Sequence, residues 1–283
     1  MKVLLTGAGG LLAHATLPLL AAAGHEARAL GHAELDITHL DAFRAAASAF
    51  QPDWIFHFAA HTRVDDCESD PDGALLVNGL GARNAALAAA GCGGALLTVS
   101  SDFVFDGATS TPYREYDAAH PINVYGASKW AGEQAIREVG GRFIIVRTAW
   151  LFGPGGSNFV DSILKKARAG EALRVVADQR GSPTYTPDLA AGLLRLAERA
   201  EYGTCHAVNS GDASWHELAM AAVREAGLGV EIERIESAAL ARPARRPVYS
   251  VLDTSWFRHV TGRALPDWKD ALRRHVRPGK EAV

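Results

Sequence analysis

Cysteine is scarce. Cys67, Cys92 and Cys205 are the only three in 283 residues, and none belongs to a CxxC or has a partner at zinc-ligand spacing. That pattern excludes a disulfide scaffold and argues for a reducing cytoplasm without a structural metal. Long apolar runs are missing too, since none approaches the roughly 20 residues of a membrane span. The N-terminal "MKVLLTGAGG" turns to glycine after three apolar residues and does not read as a signal peptide. Nor is there an excess of one charge: 29 basic and 32 acidic residues leave a net charge of -3, spread along the chain. This speaks against a nucleic-acid or membrane-surface partner. Eleven histidines are scattered without an HExxH or a ligand cluster, so no catalytic metal is expected. A cytoplasmic protein with a small-molecule ligand remains.

What is present is a core-forming composition, 48% hydrophobic, with a regular alternation in the first half. Short apolar runs ("KVLLTG", "HEARAL", "DWIFHFAA", "ALLTVSS", "FIIVRTAWLFG") alternate with segments of helical spacing at 11–23, 71–90 and 124–139. Strands alternating with helices predict an α/β fold, a doubly wound parallel sheet of Rossmann type covered on both faces. After about residue 153 the pattern changes. "NFVDSILKKARAG" and "TPDLAAGLLRLAERA" read as helices, "LRVVAD" and "TCHAVNS" as short strands, and "RPARRPVYS" as an irregular basic loop. The expectation is a dinucleotide-binding domain over 1–153 and a smaller lobe over 154–283 that partly continues the sheet.

"LLTGAGGLLAH" sets Gly7, Gly10 and Ala13 at the spacing G-x-x-G-x-x-A between a strand and a helix. Glycines there allow a tight turn and bring a pyrophosphate close to free N–H groups at a helix N-terminus. The acid that usually ends the second strand and binds the adenosine ribose is replaced by Gly31 and His32. Either His32 or Arg28 then faces a 2′-phosphate, or His32 is a solvated loop residue; the cofactor is NADPH or NADH. Asp36 either approaches the adenine end or caps the next helix. "FAAHT" places Ala60, His61 and Thr62 at a strand end, where small residues let a flat ligand lie against the sheet.

"VSSDFVFDG" ends another buried strand in Ser100, Ser101 and Asp102, and "PINVYGASKWAGE" puts Tyr125 and Lys129 on one helical face. An ammonium beside a phenol is expected to lower its pKa from about 10 toward neutrality. A phenol of this kind protonates a carbonyl oxygen as hydride reaches the carbon, while Ser101 holds that oxygen. Gly126, Ala127 and Ser128, all small, suggest close approach of the backbone to a ligand.

Together, "GAGGLLA", "FAAHTRVD", "VSSDFVFDG" and "YGASK" resemble the extended short-chain dehydrogenase/reductase family. "RTAWLFG", "VVADQRGSPTYT" and "PARRPVYSVLDTSWF" look more narrowly like its dTDP-4-dehydrorhamnose reductase branch. The resemblance implies that NADPH or NADH reduces dTDP-4-dehydro-L-rhamnose, with Tyr125 as general acid and Lys129 binding the nicotinamide ribose. Ser101 stands for the branch's usual threonine, keeping the hydroxyl but losing the methyl that fixes its rotamer. Gly7, Gly10, Leu11 and Leu12 match the pyrophosphate turn, Asp36 and Ile37 the adenine side, and Ala60, His61 and Thr62 the cofactor-facing strand end. Asp102 and Trp150 would approach the sugar nucleotide, and in the C-terminal substrate-binding lobe arginines 242, 245 and 246 could meet a diphosphate.

Phe103 stands where tyrosine is common, which alters the sugar contacts. The acidic positions that bind magnesium at a dimer interface in some members correspond to Ala15, Asp188 and Lys269, so no metal site is expected and the chain should be a monomer or a weak homodimer. Two alternatives stay open: a reductase of another nucleotide-linked 4-keto sugar, and a non-catalytic nucleotide-binding regulatory subunit.

Overall fold

The structure, a computed structural model, describes residues 1–278. In chain order the first elements are β1 (Lys2–Thr6), α1 (Leu11–Ala22), β2 (Glu26–Leu30), α2 (Leu40–Phe50) and β3 (Trp54–His57). There follow α3 (Val64–Ser69), α4 (Pro71–Leu75), a π-helical turn (Leu76–Leu80), α5 (Gly81–Gly91) and β4 (Ala95–Ser101). A 3-10 turn (Asp102–Val104), α6 (Val124–Val139) and β5 (Phe143–Thr148) complete the first half. The second half opens with β6 (Leu151–Phe152), α7 (Phe159–Arg168), β7 (Leu173–Val176), β8 (Arg180–Gly181), β9 (Thr184–Tyr185), α8 (Thr186–Arg199) and β10 (Gly203–His206). It ends with β11 (Asn209–Ser210), β12 (Ala213–Ser214), α9 (Trp215–Glu225), β13 (Ile232–Ile235), α10 (Ser255–Thr261), β14 (Leu265–Asp267) and α11 (Trp268–Val276).

The main sheet is parallel throughout, with six strands in the order β10-β5-β4-β3-β1-β2. Its central strands carry apolar residues on both faces because helices cover both; every residue of β3 is buried. One face packs Leu12 and Leu20 of α1 with Leu189 and Leu193 of α8. The other packs Phe43 of α2, the alanines of α5 and Ile136 of α6. The doubly wound α/β expectation holds, and the second half contributes β10 and α8 to it. A separate core joins α7, α9 and α11 to β7 and β13 through Leu164, Leu218 and Leu272. The order in which strands are added reverses between β1 and β3, with β2 on one side and β3, β4, β5 and β10 on the other, and a doubly wound sheet binds its ligand at the carboxyl ends of such a pair. Among the described residues no helix is long and apolar enough to cross a membrane.

Two segments depart from their periodicity. The 71–90 stretch is not one α-helix: it passes through the π-helical turn, which carries Asn78. Gly132 of α6 lies so close that a Cβ on it would sit 2.4 Å from the Asn78 carbonyl oxygen. The "FIIVRTAWLFG" strand breaks at Trp150, whose φ of 48° sends β6 away from the main sheet to pair with β9. A left-handed tryptophan costs backbone energy, and packing contacts must hold it there.

Candidate active site

A single cleft of about 980 Å³ runs along the carboxyl ends of the main-sheet strands. At one end lies the glycine turn. Gly7 has a φ of +77°, and a Cβ there would come within 2.7 Å of the Ala59 nitrogen, so only glycine lets the turn after β1 close against the end of β3. Gly10 precedes α1 in extended conformation; no side chain caps that helix start, and its first turn holds no acid. The free N–H groups and the dipole suit a pyrophosphate, so the residues present fit a dinucleotide. Gly7, Gly10, Leu11 and Leu12 all line the cleft.

Asp36 and Ile37 line it farther along. Asp36 does not cap α2, whose preceding residue is His39. Its Oδ1 accepts from the Thr38 hydroxyl at 2.7 Å and the Thr38 N–H at 2.9 Å, and these bonds hold the carboxyl below its ordinary range. At the end of β2 the Glu34 carboxylate folds back and accepts from the Gly31 N–H at 2.8 Å. Gly31 and His32 border the cleft.

Ala60 and Thr62 also line it, whereas His61 is outside the lining. Asn78 accepts from the His61 N–H at 2.8 Å and donates to the His61 carbonyl at 3.0 Å. It also donates to Ser128 Oγ at 2.9 Å, joining the end of β3 to α6. Sequence periodicity gave no sign of this clip, because Asn78 lies inside an apparently regular helix; a π turn beside a site is a common way to re-aim a side chain.

Ser101, Asp102, Phe103, Tyr125 and Lys129 come together in the same cleft. The Ser101 hydroxyl donates to Asp102 Oδ1 at 3.0 Å and accepts from the Phe103 N–H at 3.1 Å. Phe103 meets the Tyr125 ring edge-on, centroids 5.8 Å apart. Asn123 caps α6 by accepting from the Gly126 N–H at 2.7 Å. Gly126 is small for a different reason than ligand approach: a Cβ there would lie 2.1 Å from the Phe103 carbonyl oxygen, so glycine lets α6 seat on the 3-10 turn.

The phenol does not behave as the Tyr-Lys spacing suggests. Burial pushes the Tyr125 pKa above its ordinary value, and the Ser101 hydroxyl opposes this only in part. Lys129 instead donates to the Val99 carbonyl at 2.8 Å, and burial lowers its own pKa to about 8, with Glu133 acting against the shift. Tyr125 is therefore held as a neutral O–H, the form that gives up a proton.

Tyr125, Lys129, Glu133 and Arg137 follow at four-residue intervals, so α6 carries one polar stripe from the cleft into the core. Glu133 is fully enclosed. Its carboxylate accepts from Ser100 Oγ at 2.6 Å, from Arg147 Nε at 2.9 Å and Nη2 at 2.8 Å, and from Arg137 at 2.9 Å. The bidentate Arg147 fork holds the Glu133 pKa down against the opposing effect of burial.

Trp150 also lines the cleft, with one face of its indole engaged in packing. Its indole stacks on Trp215 at the start of α9, centroids 3.6 Å apart and planes 7° from parallel. A Cβ on Gly181 would lie 2.5 Å from the indole, so that backbone passes the ring only as glycine. Trp215 belongs to the cleft wall and was not singled out from sequence. Its helix start was readable, since Ser214 and Glu217 form a capping box, but nothing local says where that helix docks.

The arginine loop is partly committed. Arg246 grips both oxygens of Asp65 in α3, at 2.9 and 2.8 Å, while Arg242 and Arg245 are exposed. Asp188 is bound by Arg274 at 2.9 and 2.7 Å and by Asn209 at 2.8 Å.

The family model described as RmlD substrate binding domain matches residues 1–280. The chain is 43% identical over 278 residues to a dTDP-4-dehydrorhamnose reductase of Streptomyces griseus, covering 95% of this chain and 91% of that protein. It is 39% identical over 280 residues to a probable dTDP-4,6-dihydroxy-2-methyloxan-3-one 4-ketoreductase of Streptomyces antibioticus, covering 96% and 94%. Among solved structures, a dTDP-4-dehydrorhamnose reductase of Bacillus anthracis in complex with NADP matches with a TM-score of 0.94 at 36% identity, over 97% of this chain and 98% of that one. With agreement in sequence and fold over nearly its whole length, the chain belongs to the RmlD substrate binding domain family.

Proposed function

We propose that the protein is a dTDP-4-dehydrorhamnose reductase, using NADPH or NADH to reduce the C4 ketone of dTDP-4-dehydro-L-rhamnose to the alcohol of dTDP-L-rhamnose. The observation that carries this is the meeting of Ser101, neutral Tyr125 and Lys129 in the cleft that begins at the glycine turn. A bound nicotinamide supplies the hydride. Tyr125 gives its phenolic proton to the ketone oxygen, and Ser101 holds that oxygen beside the phenol. Lys129, fixed on the Val99 carbonyl in the same cleft, is the residue that would hold the nicotinamide ribose. Asp102 and Trp150 border the sugar side, and the smaller lobe over 154–283 selects the nucleotide sugar. The protein works in the cytoplasm as a monomer or weak homodimer.

The test is dinucleotide oxidation, followed by absorbance, with a panel of dTDP-4-keto sugars. Turnover with dTDP-4-dehydro-L-rhamnose is expected, and its absence overturns the reading. Preference for a different 4-keto sugar would favour the second reading, which the likeness to the Streptomyces antibioticus ketoreductase supports.

Glu34 shapes the choice between the two dinucleotides. A carboxylate on the Gly31 N–H can accept from ribose hydroxyls and repels a 2′-phosphate. Glu34→Gln should therefore tighten NADPH relative to NADH by about tenfold, an effect of the size expected for removing one solvated like charge. Titration of each dinucleotide by fluorescence checks this without substrate, and an unchanged ratio removes Glu34 from the selection.

A further inference from the structure

A serine hydroxyl has no neighbouring methyl to fix its rotamer, so something else must hold Ser101 Oγ at the cleft. The structure supplies it from 149 residues further along the chain. Ser250 donates to Asp102 Oδ2 at 2.5 Å, while Ser101 donates to the other oxygen of the same carboxylate at 3.0 Å. All three side chains are shut away from solvent, Ser101 at 6%, Asp102 at 2% and Ser250 at 2% exposure. Ser250 is itself anchored, since its N–H donates to the Arg180 carbonyl at 2.8 Å. The segment leading to it is tied to the first half by Arg246 on Asp65 and by Asn123 donating to the Arg245 carbonyl at 2.7 Å.

We propose that Ser250 is a positioning residue for the reduction, acting through Asp102: by donating to that carboxylate it keeps it placed and satisfied when the Ser101 O–H turns to the reacting oxygen. This rests on the reductase reading above. Two hydroxyl donors on one buried carboxylate are satisfied together only while Asp102 is ionised. When the Ser101 O–H turns toward a ketone oxygen, the Ser250 bond remains, so the buried carboxylate is never stripped of donors. Without Ser250, the carboxylate either keeps the Ser101 proton to itself or takes up a proton and lets go.

Burial pushes the Asp102 pKa up to about 6, and the Ser250 and Ser101 hydroxyls pull against that rise. The titratable groups around it are Tyr125 and Lys129 of α6 and, facing Tyr125, Cys67 of α3. Asp102 therefore takes up a proton as the pH falls through about 6, and in the parent protein kcat should fall with it.

The experiment compares Ser250→Ala and Ser250→Thr with the parent. In Ser250→Ala, kcat is expected to drop by about tenfold to a hundredfold, the worth of a hydrogen bond to a charged group, while the dinucleotide KM holds. The acid limb of the kcat profile should move to higher pH, and Ser250→Thr, which keeps the hydroxyl, should restore both. Asp102 is also titrated directly by carbon NMR of aspartate-labelled protein, its signal identified by loss in Asp102→Asn. Its midpoint should rise by about one unit in Ser250→Ala, because a donor to the charged form has gone. That titration needs no substrate, so it stands even if the sugar assay fails and the reductase reading falls with it. An Asp102 midpoint that stays put in Ser250→Ala, or a kcat that does not fall, overturns the assignment.

Discussion

Tyr125→Phe should cut the rate of ketone reduction by about 10²–10⁴-fold, the range set by losing a positioned proton donor, while dinucleotide binding persists. The substitution removes one oxygen and little else. The ring keeps its edge-on contact with Phe103, and the backbone of α6 stays seated through Asn123 and Gly126. Loss should fall on kcat rather than on substrate KM, because the proton moves only in the transition state. Single-turnover absorbance separates the chemical step from binding. A Phe variant that retains more than about a tenth of the parent rate would mean that another group or water delivers the proton. The raised pKa of Tyr125 sharpens this expectation: the parent phenol is protonated throughout the ordinary working range, so no alkaline loss of the donor should appear near neutrality.

The second large effect is on stability. Arg147→Met should destabilise the fold by about 3–5 kcal/mol, because it leaves the Glu133 carboxylate enclosed without its bidentate partner. For a chain of this size that corresponds to a melting temperature lower by roughly 10 °C. Ser100 and Arg137 still contact Glu133, but Arg137 is about one-third exposed and makes only one of the bonds that Arg147 doubles. Arg147 also lies 5.1 Å from the Phe105 ring centroid and 5.8 Å from that of Trp130, contacts that a methionine keeps as packing but not as cation–π attraction. Adding Glu133→Leu should recover much of the loss, since an apolar pair of similar volume is close to neutral where a lone charge is not. Thermal and urea denaturation of the two variants measure this. A loss below about 1 kcal/mol for Arg147→Met would show that the remaining donors suffice.

The parts of this molecule that could be read from sequence are those whose cause is local. Strand and helix alternation follows from burial on two faces. The glycine turn follows from a backbone that admits no Cβ at Gly7, and the common face of Tyr125 and Lys129 follows from helical spacing. What could not be read depends on distant packing. The π turn at Asn78 leaves the apolar periodicity of 71–90 nearly intact, so only contact with Ser128 and His61 reveals it. Trp150 sits in a strand-like run, and its left-handed turn exists because Gly181 and Trp215 hold the indole. The charge state of Tyr125 is hidden from the sequence for the same reason: spacing brings an ammonium near, but depth of burial and the Val99 carbonyl decide where that charge is spent. Ser250 looked like any serine in a basic loop until the fold laid it against Asp102.

The paired indoles carry one more consequence. Trp150 stands where the strand run breaks from the main sheet and Trp215 begins α9, so their face-to-face overlap is a ruler between two elements of the cleft wall. Transitions in two touching indoles couple, and the coupling dies away steeply as the rings part or rotate. Near-ultraviolet circular dichroism therefore gives this protein a built-in optical gauge. Whether a sugar nucleotide slides past the stack or prises it open becomes visible in the light it absorbs, without any label attached.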